Sequence, residues 1–284
     1  MNKKAKFVFI ALLIAPLTVA TISYFYSEIP LEKPEKDKEI IFMTYNIHFG
    51  HGVDDNLNLE RIAQNILNEE AEIIGLQEVD NGRITTGGVD IGFWLANRLN
   101  MYYYVYYPTV ENEHTRGCGL LSKFPINSAH GYDIPSDSMQ RVMIHTVIRI
   151  DDNLDIDVFV VHVGLSEEDT EKQIEFILET IDEETKSSDP QVLMGDFNLE
   201  NDTDEIIEIL KVFDDTYEEY NNDRNDTFPS YDLYGTKHES IDYIFARGYD
   251  KIEDSYIVDD MIENEDNPSE YGSDHLPVVS ILEF

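Results

Sequence analysis

Hydrophobic and polar positions along the chain follow two different periods. Runs in which apolar residues alternate with polar ones, or follow each other for about four to eight positions, predict β-strands. Apolar residues spaced three and four apart predict helices that bury one face. The strands are expected at 39–46, 71–78, 102–107, 118–122, 141–150, 154–163, 191–197, 241–247 and 276–284, and the helices at 57–70, 89–100 and 166–181. Because hairpins mix with strand–helix–strand units, this pattern predicts two packed sheets with helices outside.

The first residues differ from the rest of the chain. Residues 7–26 carry no charge, and three lysines precede them. About twenty apolar residues are enough to span a bilayer, so the pattern predicts a membrane anchor or a cleaved signal peptide over residues 1–26. Either one would place the remaining chain in an extracytoplasmic location, membrane-anchored or secreted. Residues 27–39 are polar with two prolines and are interpreted as a linker, which leaves 40–284 as the folded domain.

Acidic residues outnumber basic ones along the whole chain. There are 58 Asp and Glu against 20 Lys and Arg in 284 residues, a formal net charge of −38, and no basic cluster follows Lys38. A solvated surface adapted to salt would explain this charge, and so would a field that disfavours polyanions. Since proteins that grip nucleic acid present clustered cations, nucleic acid is not the expected partner. Cys118 is the single cysteine, so the chain forms no internal disulfide.

Polar residues that can perform chemistry stand at the ends of several predicted strands. In VLMGDFNLE, residues 192–200, an apolar run leads into Asp196 and Asn198, which face the same side of an extended strand. Each such residue alone is explained equally well by a turn, a helix cap or a buried hydrogen bond. The whole set is harder to explain that way, and in chain order it comprises Asn46, Glu78, His162, Asp196, Asn198, Asp242, Asp274 and His275.

The motifs that carry these residues resemble the endonuclease/exonuclease/phosphatase superfamily. TYNIHFGHG, LQEVD, GDFN, IDYIF and SDHLPV occur in that family's order over nearly all of residues 40–284, and GDFN followed by SDH is a strong joint signal. The sequence around these motifs is similar to that of small bacterial and archaeal members, and to that of domains linked to remodelling of glycosylphosphatidylinositol lipids. The resemblance implies an α/β fold, the deoxyribonuclease I-like four-layer α/β sandwich, in which two packed mixed β-sheets are flanked by helices.

The resemblance also implies how the site would act on a phosphoester. Asp196 would orient or deprotonate the attacking water, and Asn198 would donate to the phosphoryl oxygens. His162 would touch the phosphoryl or leaving group. His275 would stabilise or protonate the phosphoryl group, and Asp242 would accept its other ring N–H and so fix the tautomer.

A metal ion completes the implied site. Mg²⁺, or Mn²⁺ in its place, takes hard oxygen ligands, and Glu78, Asn46 and Asp274 are the expected ones. Arg83 lies in the glycine-rich stretch NGRITTGG. It is interpreted either as a ligand of a substrate phosphate or as an ordinary surface residue.

The predicted function is a metal-dependent phosphoesterase that hydrolyses a phosphodiester or phosphomonoester, with a lipid headgroup or small molecule as the substrate and a membrane as a partner. A secreted nuclease on the same scaffold is the first alternative. A non-catalytic binding module is the second, although such a module would have no need for both Asp196 and the Asp242–His275 pair. Fold alone does not decide among the three, and the sequence predicts no oligomeric state.

Overall fold

The first described strand begins at Glu39. A computed structural model describes residues 39–108, 116–186, 188–230, 238–259 and 272–284. The predicted anchor or signal peptide at 1–26 and most of the predicted linker lie outside the described residues. None of the helices within these ranges has the length and apolar composition that crossing a membrane requires.

Two mixed six-stranded sheets form the centre of the domain. The strands, in chain order, are β1 (Glu39–Asn46), β2 (Ile73–Val79), β3 (Tyr102–Tyr106), β4 (Gly117–Ser122), β5 (Ile126–Ile134), β6 (Arg141–Arg149), β7 (Asp155–His162), β8 (Gln191–Asp196), β9 (Asp214–Asp215), β10 (Asp242–Arg247), β11 (Lys251–Ile257) and β12 (Val278–Glu283). The first sheet has the order β11-β12-β1-β2-β4-β3 and the second β5-β6-β7-β8-β10-β9. Each contains one parallel pair, β1 with β2 and β7 with β8, among antiparallel neighbours.

Five helices accompany the two sheets in the described part of the chain, and the first four of them pack on the outer faces. They are α1 (Leu59–Asn68), α2 (Ile91–Leu99), α3 (Glu167–Glu184), α4 (Asp204–Ile209) and α5 (Thr216–Asn221), and a 3-10 turn spans His48–Gly50. Apolar side chains from both sheets, such as Phe42 and Met194, meet in the central layer. A second cluster joins α1 and α2 to the first sheet, and a third joins α3 and α4 to the second. The predicted four-layer α/β sandwich is therefore confirmed.

The strand pairing brings the predicted polar positions to one edge. Asn46 ends β1 opposite Gln77 of the parallel strand β2. His162 ends β7 opposite Asp196 of β8, and Asp196 is in turn paired with Asp242 at the start of antiparallel β10. Because parallel strands place their carboxyl ends at the same edge, residues far apart in sequence converge there.

Sequence periodicity missed three strands, β5, β9 and β11. Strand β5 has a weak apolar pattern and contains Gly131, where a Cβ atom would lie 2.0 Å from the ring of Tyr106. Strand β11 is an edge strand whose register shifts between Ile252 and Asp254, which interrupts its alternation. The tyrosine-rich stretch at 102–107, by contrast, forms β3 as expected.

Candidate active site

Asp196 is the centre of the site, and the sequence GDFN explains its position. Gly195 precedes it with φ of 156°, and a Cβ atom there would lie 2.1 Å from the carbonyl oxygen of Val161 on β7. Glycine therefore allows β8 to approach β7 closely, which brings the Asp196 carboxylate against His162. Phe197 points into the core and packs edge-on against Tyr243 and Phe245. The strand end is thus anchored by an aromatic residue between two polar ones.

Four neighbours surround the Asp196 carboxylate, which is 1% exposed. Its Oδ2 accepts a hydrogen bond from Asn46 Nδ2 at 2.9 Å, and its Oδ1 accepts one from the backbone N–H of Asn198 at 3.0 Å. Nε2 of His162 lies 3.4 Å from Oδ2, and Nε2 of His275 lies 3.8 Å from it. Burial, together with the charge of Asp242, raises the pKa of Asp196 to about 7. A carboxylate with this pKa suits a general base near neutral pH.

His275 and Asp242 form the predicted pair. Nδ1 of His275 lies 2.9 Å from Oδ2 of Asp242, and both residues are buried. Burial by itself would lower the pKa of His275, but Asp242 and then Asp196 raise the pKa to about 10. The ring of Phe228 lies 4.7 Å from the imidazole and shields it. His275 is therefore an imidazolium held next to the Asp196 carboxylate.

His162 has the opposite protonation state, for a reason that the sequence analysis missed. Nη1 of buried Arg141 lies 2.8 Å from Nε2 and 3.0 Å from Nδ1 of His162. A guanidinium has no lone pair, so the imidazole has to accept its hydrogen bond in the neutral form. Burial, and next the charge of Arg141, lower the pKa of His162 well below its ordinary value. An arginine that opens a buried strand, as Arg141 opens β6, was the available sequence signal.

Glu78 has features of a metal ligand. It is 6% exposed, has φ of 56°, and lies where the register between β2 and β4 shifts, so the backbone turns its side chain away from the ladder. Arg116 binds Oε1, while Oε2 is buried and has no hydrogen-bond partner among the described residues. Burial raises the pKa of Glu78, Arg116 lowers it, and Asp274 raises it further. A buried, unpartnered carboxylate oxygen fits a hard divalent cation.

Asn46 and Asp274 are the other predicted metal ligands. Asn46 Oδ1 accepts a hydrogen bond from the backbone N–H of His48 at 3.1 Å and keeps a second lone pair. Asp274 is partly exposed, and its Oδ1 lies 3.7 Å from His48 Nδ1. These carboxylate and amide oxygens, with Glu78, are of the type that Mg²⁺ prefers.

A second group of possible ligand atoms overlaps the reaction centre. Atoms of Asp196, Asp242 and His275 lie within 4.8 Å of one another. Nδ1 of His275 is already hydrogen-bonded to Asp242. The raised pKa of His275 keeps its ring positively charged, and this charge opposes the binding of a cation between the three residues. Asp196, Asp242 and His275 are therefore suited to proton transfer and to charge stabilisation. The oxygen atoms around Glu78 are better suited to a hard divalent cation.

The remaining predicted residues lie around this centre. Asn198 has φ of 53°, and its Nδ2 donates one hydrogen bond to the carbonyl of Val163 at 2.9 Å, which leaves one amide hydrogen for another acceptor. Arg83 pairs with Asp80 at 3.6 Å and lies over the ring of Phe49, with 5.9 Å from its guanidinium carbon to the ring centroid. Six predicted residues thus form one set of direct contacts, namely Asn46, His162, Asp196, Asn198, Asp242 and His275.

Comparison with known proteins connects this geometry with a family. The solved endonuclease/exonuclease/phosphatase of Beutenbergia cavernae superposes with a TM-score of 0.70 at 20% identity, covering 87% of this chain and 72% of that one. The mannosyl-6-phosphatase of Bacteroides thetaiotaomicron gives 0.66 at 18% identity, covering 86% of this chain and 100% of that one. At such identities these structures establish the fold.

Sequence similarity is more specific. Protein cwh43 of Schizosaccharomyces pombe is 32% identical over 132 residues, which make up 46% of this chain and 13% of that protein. Residues 37–247 match the family described as the PGAP2IP, C-terminal nuclease-like domain. The chain therefore belongs to this nuclease-like family, within the endonuclease/exonuclease/phosphatase superfamily.

Proposed function

We propose that the protein is a metal-dependent phosphoesterase that hydrolyses a phosphodiester or phosphomonoester. The observation that carries this proposal is the buried contact set around Asp196, in which a carboxylate with a pKa of about 7 lies 3.8 Å from a charged His275. A base and a cation at that separation can serve the attacking water and the phosphoryl oxygens of one phosphorus. Burying both groups costs free energy that a purely structural role would not recover.

Mg²⁺ or Mn²⁺, held by Glu78 with Asn46 and Asp274, would neutralise phosphoryl charge when bound. Asp196 accepts the proton of the attacking water at Oδ2, and Asn46 holds that oxygen in place. His275, charged and fixed by Asp242, stabilises the phosphoryl oxygens as negative charge develops.

Two further residues complete the proposed reaction centre. The second amide hydrogen of Asn198 is available to the phosphoryl group. Neutral His162, oriented by Arg141, contacts the phosphoryl or leaving group. Because its proton is held on one ring nitrogen only, His162 acts here as a hydrogen-bonding group and contributes no positive charge.

A lipid headgroup or a small molecule is the proposed substrate class, with Arg83 as a substrate-binding residue. Two aliphatic side chains on loops next to the site support a lipid surface. Ile84 is 98% exposed in the loop after β2, and Leu165 is 78% exposed in the loop after β7. Strand β2 ends beside Glu78 and strand β7 ends at His162, so both loops start next to the site. Apolar side chains exposed to this extent can insert among lipid headgroups.

The proposed location is extracytoplasmic, with residues 1–26 as an anchor or a signal peptide. Cell fractionation tests this location, since intact protein in the cytosol would contradict it. A mature N-terminus just after Ala20 would identify a signal peptide instead of an anchor.

Activity screening tests the function. The wild-type protein should hydrolyse a member of a panel of phospholipids, inositol phosphates and DNA when Mg²⁺ or Mn²⁺ is present, and chelator should abolish the reaction. Asp196→Asn is the control for contaminating enzymes. Hydrolysis of DNA alone would support the nuclease alternative, and absence of turnover on all compounds would support the binding module.

A further inference from the structure

Two arginines converge on one aromatic ring beside the reaction centre. The guanidinium carbon of Arg116 lies 5.0 Å, and that of Arg83 5.9 Å, from the ring centroid of Phe49. The two come from different parts of the chain, the start of β4 and the loop after β2. In a chain with 20 basic and 58 acidic residues, two arginines at one ring are an unusual concentration of positive charge.

Among the described residues each arginine pairs with one carboxylate, and each of these carboxylates also has another interaction or proposed role. Arg83 is 3.6 Å from Asp80, whose carboxylate also accepts hydrogen bonds from the backbone of Asn81 and from Thr86. Arg116 binds Glu78, the proposed metal ligand. The two pairs together are neutral in this state.

A divalent cation at Glu78 would change that balance. The charge of Glu78 would then be shared with the metal, and Arg83, Arg116, Asp80, Glu78, Asp274 and the cation would have a net charge of +1. Both guanidiniums are partly exposed, with 28% and 32% of their side-chain surfaces accessible. The loop also has room beside it, because a Cβ atom at Gly82 or Gly88 would meet no described atom within 4 Å.

We propose that Arg83, Arg116 and Phe49 form a subsite for a second phosphate group on the substrate, next to the phosphoester that is cleaved. The proposal rests on the proposed function and makes its substrate class narrower, namely a polyol phosphoester that carries another phosphate. Planar guanidiniums bind phosphate oxygens in pairs, which lysine cannot do. The aromatic ring holds both guanidinium planes in place while leaving their N–H edges free.

The test compares substrates that differ only in the second phosphate. With Mg²⁺, myo-inositol 1,4-bisphosphate should have a kcat/KM at least tenfold above that of myo-inositol 1-phosphate. In Arg83→Gln and in Arg116→Gln this ratio should fall about tenfold. Arg149→Gln is the matched control, since Arg149 is exposed and pairs with Asp155 at the far end of β6. Its ratio should equal that of the wild type.

A second pair of probes separates a lipid from a soluble source of the same chemistry. Phosphatidylinositol 4-phosphate and phosphatidylinositol are presented in phosphatidylcholine vesicles. A preference for the second phosphate in vesicles alone identifies a lipid headgroup, and a preference in solution alone identifies a free polyol phosphate. A wild-type ratio near one in both formats, or a ratio that the two arginine variants retain, would overturn the subsite.

Calorimetry separates this proposal from the proposed function. The bisphosphate is titrated into Asp196→Asn and into its double variants with Arg83→Gln or Arg116→Gln, all with Mg²⁺. Weaker binding in the double variants supports the subsite even if no compound is turned over, and equal binding contradicts it. A purely structural role for Arg116 as the partner of Glu78 would instead tighten Mg²⁺ binding and leave bisphosphate binding unchanged.

Discussion

Replacement of Asp196 by Asn should abolish activity and stabilise the fold. The substitution keeps the size of the side chain but removes the basic oxygen, so activity should fall by about 10²–10⁴-fold, the usual contribution of a general base. The stability effect follows from burial. A carboxylate that the fold prefers to keep neutral destabilises the native state whenever it is ionised.

The magnitude follows from the pKa. The pKa of Asp196 rises from 3.8 to about 7, and one pKa unit corresponds to about 1.4 kcal/mol, so the ionised group lowers the free energy of unfolding by about 4 kcal/mol above pH 7. Because the folded pKa is the higher one, wild-type stability is greatest below pH 3.8 as far as this group is concerned, and it falls as the pH rises to about 7. The Asp196→Asn variant lacks this pH-dependent loss of stability.

One hydrogen bond is expected to be lost in the variant. Asn46 Nδ2 and the backbone N–H of Asn198 donate to different oxygens of Asp196, and an asparagine has only one oxygen. That loss costs about 1–3 kcal/mol. The net gain at pH 8 is therefore about 1–3 kcal/mol, and each kcal/mol should raise Tm by about 2–4 °C for a domain of this size.

Thermal melting of the chelated protein at pH 8 measures this gain. Asp215→Asn is the matched control, since Asp215 is also buried but accepts hydrogen bonds from two backbone N–H groups and pairs with Arg224. Its loss removes the carboxylate partner of the buried Arg224 guanidinium and should destabilise the fold by about 3–5 kcal/mol. If Asp196→Asn melted as far below the wild type as the control, Asp196 would be a structural residue and the catalytic interpretation would be wrong.

Three other predictions concern the metal, the histidines and the substrate. Glu78→Gln should weaken Mg²⁺ binding in calorimetry and lower activity in parallel, and activity that persists in chelator would refute the metal site. Below pH 6.5 protonation of His162 in the unfolded chain should lower the free energy of unfolding of the chelated protein, against the gain from Asp196, because burial and Arg141 keep the folded ring neutral; the Tm of His162→Gln should therefore rise relative to the wild type as the pH falls below 6.5, and a pH-independent difference would contradict it. DNA should be a poor substrate at low salt, because phosphate contacts require clustered cations and six of the 20 basic residues precede residue 39; efficient cleavage there would favour the nuclease.

The sequence predicted most of the fold, because the periodicity and the position of the apolar residues were sufficient to locate the buried strands. Strands β1, β7 and β8 are apolar runs that end in polar residues. Edge strands were missed where alternation is broken, as at the register shift of β11. Strand β5 contacts the ring of Tyr106 through Gly131, and glycine is uncommon inside strands. The sequence of β5 therefore does not indicate a strand.

The sequence singled out candidate site residues that the structure brings together, but the environment of each residue could not be predicted. Arg141 and Arg116 escaped notice because each is an ordinary arginine in the sequence. Their importance comes from contacts with His162 and Glu78, 21 and 38 residues away along the chain. Such contacts depend on which strands are neighbours and in which register, and a single sequence without pairing information does not give that.

The two histidines show why these contacts decide chemistry. His162 ends β7 of the second sheet and His275 precedes β12 of the first, yet both are buried and both approach the same oxygen of Asp196. Desolvation alone would make both neutral. Asp242 makes His275 a cation, and Arg141 keeps His162 neutral. Of the two imidazoles next to Asp196, one is therefore positively charged and the other is uncharged and can accept or donate a hydrogen bond. Exchange of the two neighbours, rather than of the histidines themselves, would reverse their roles.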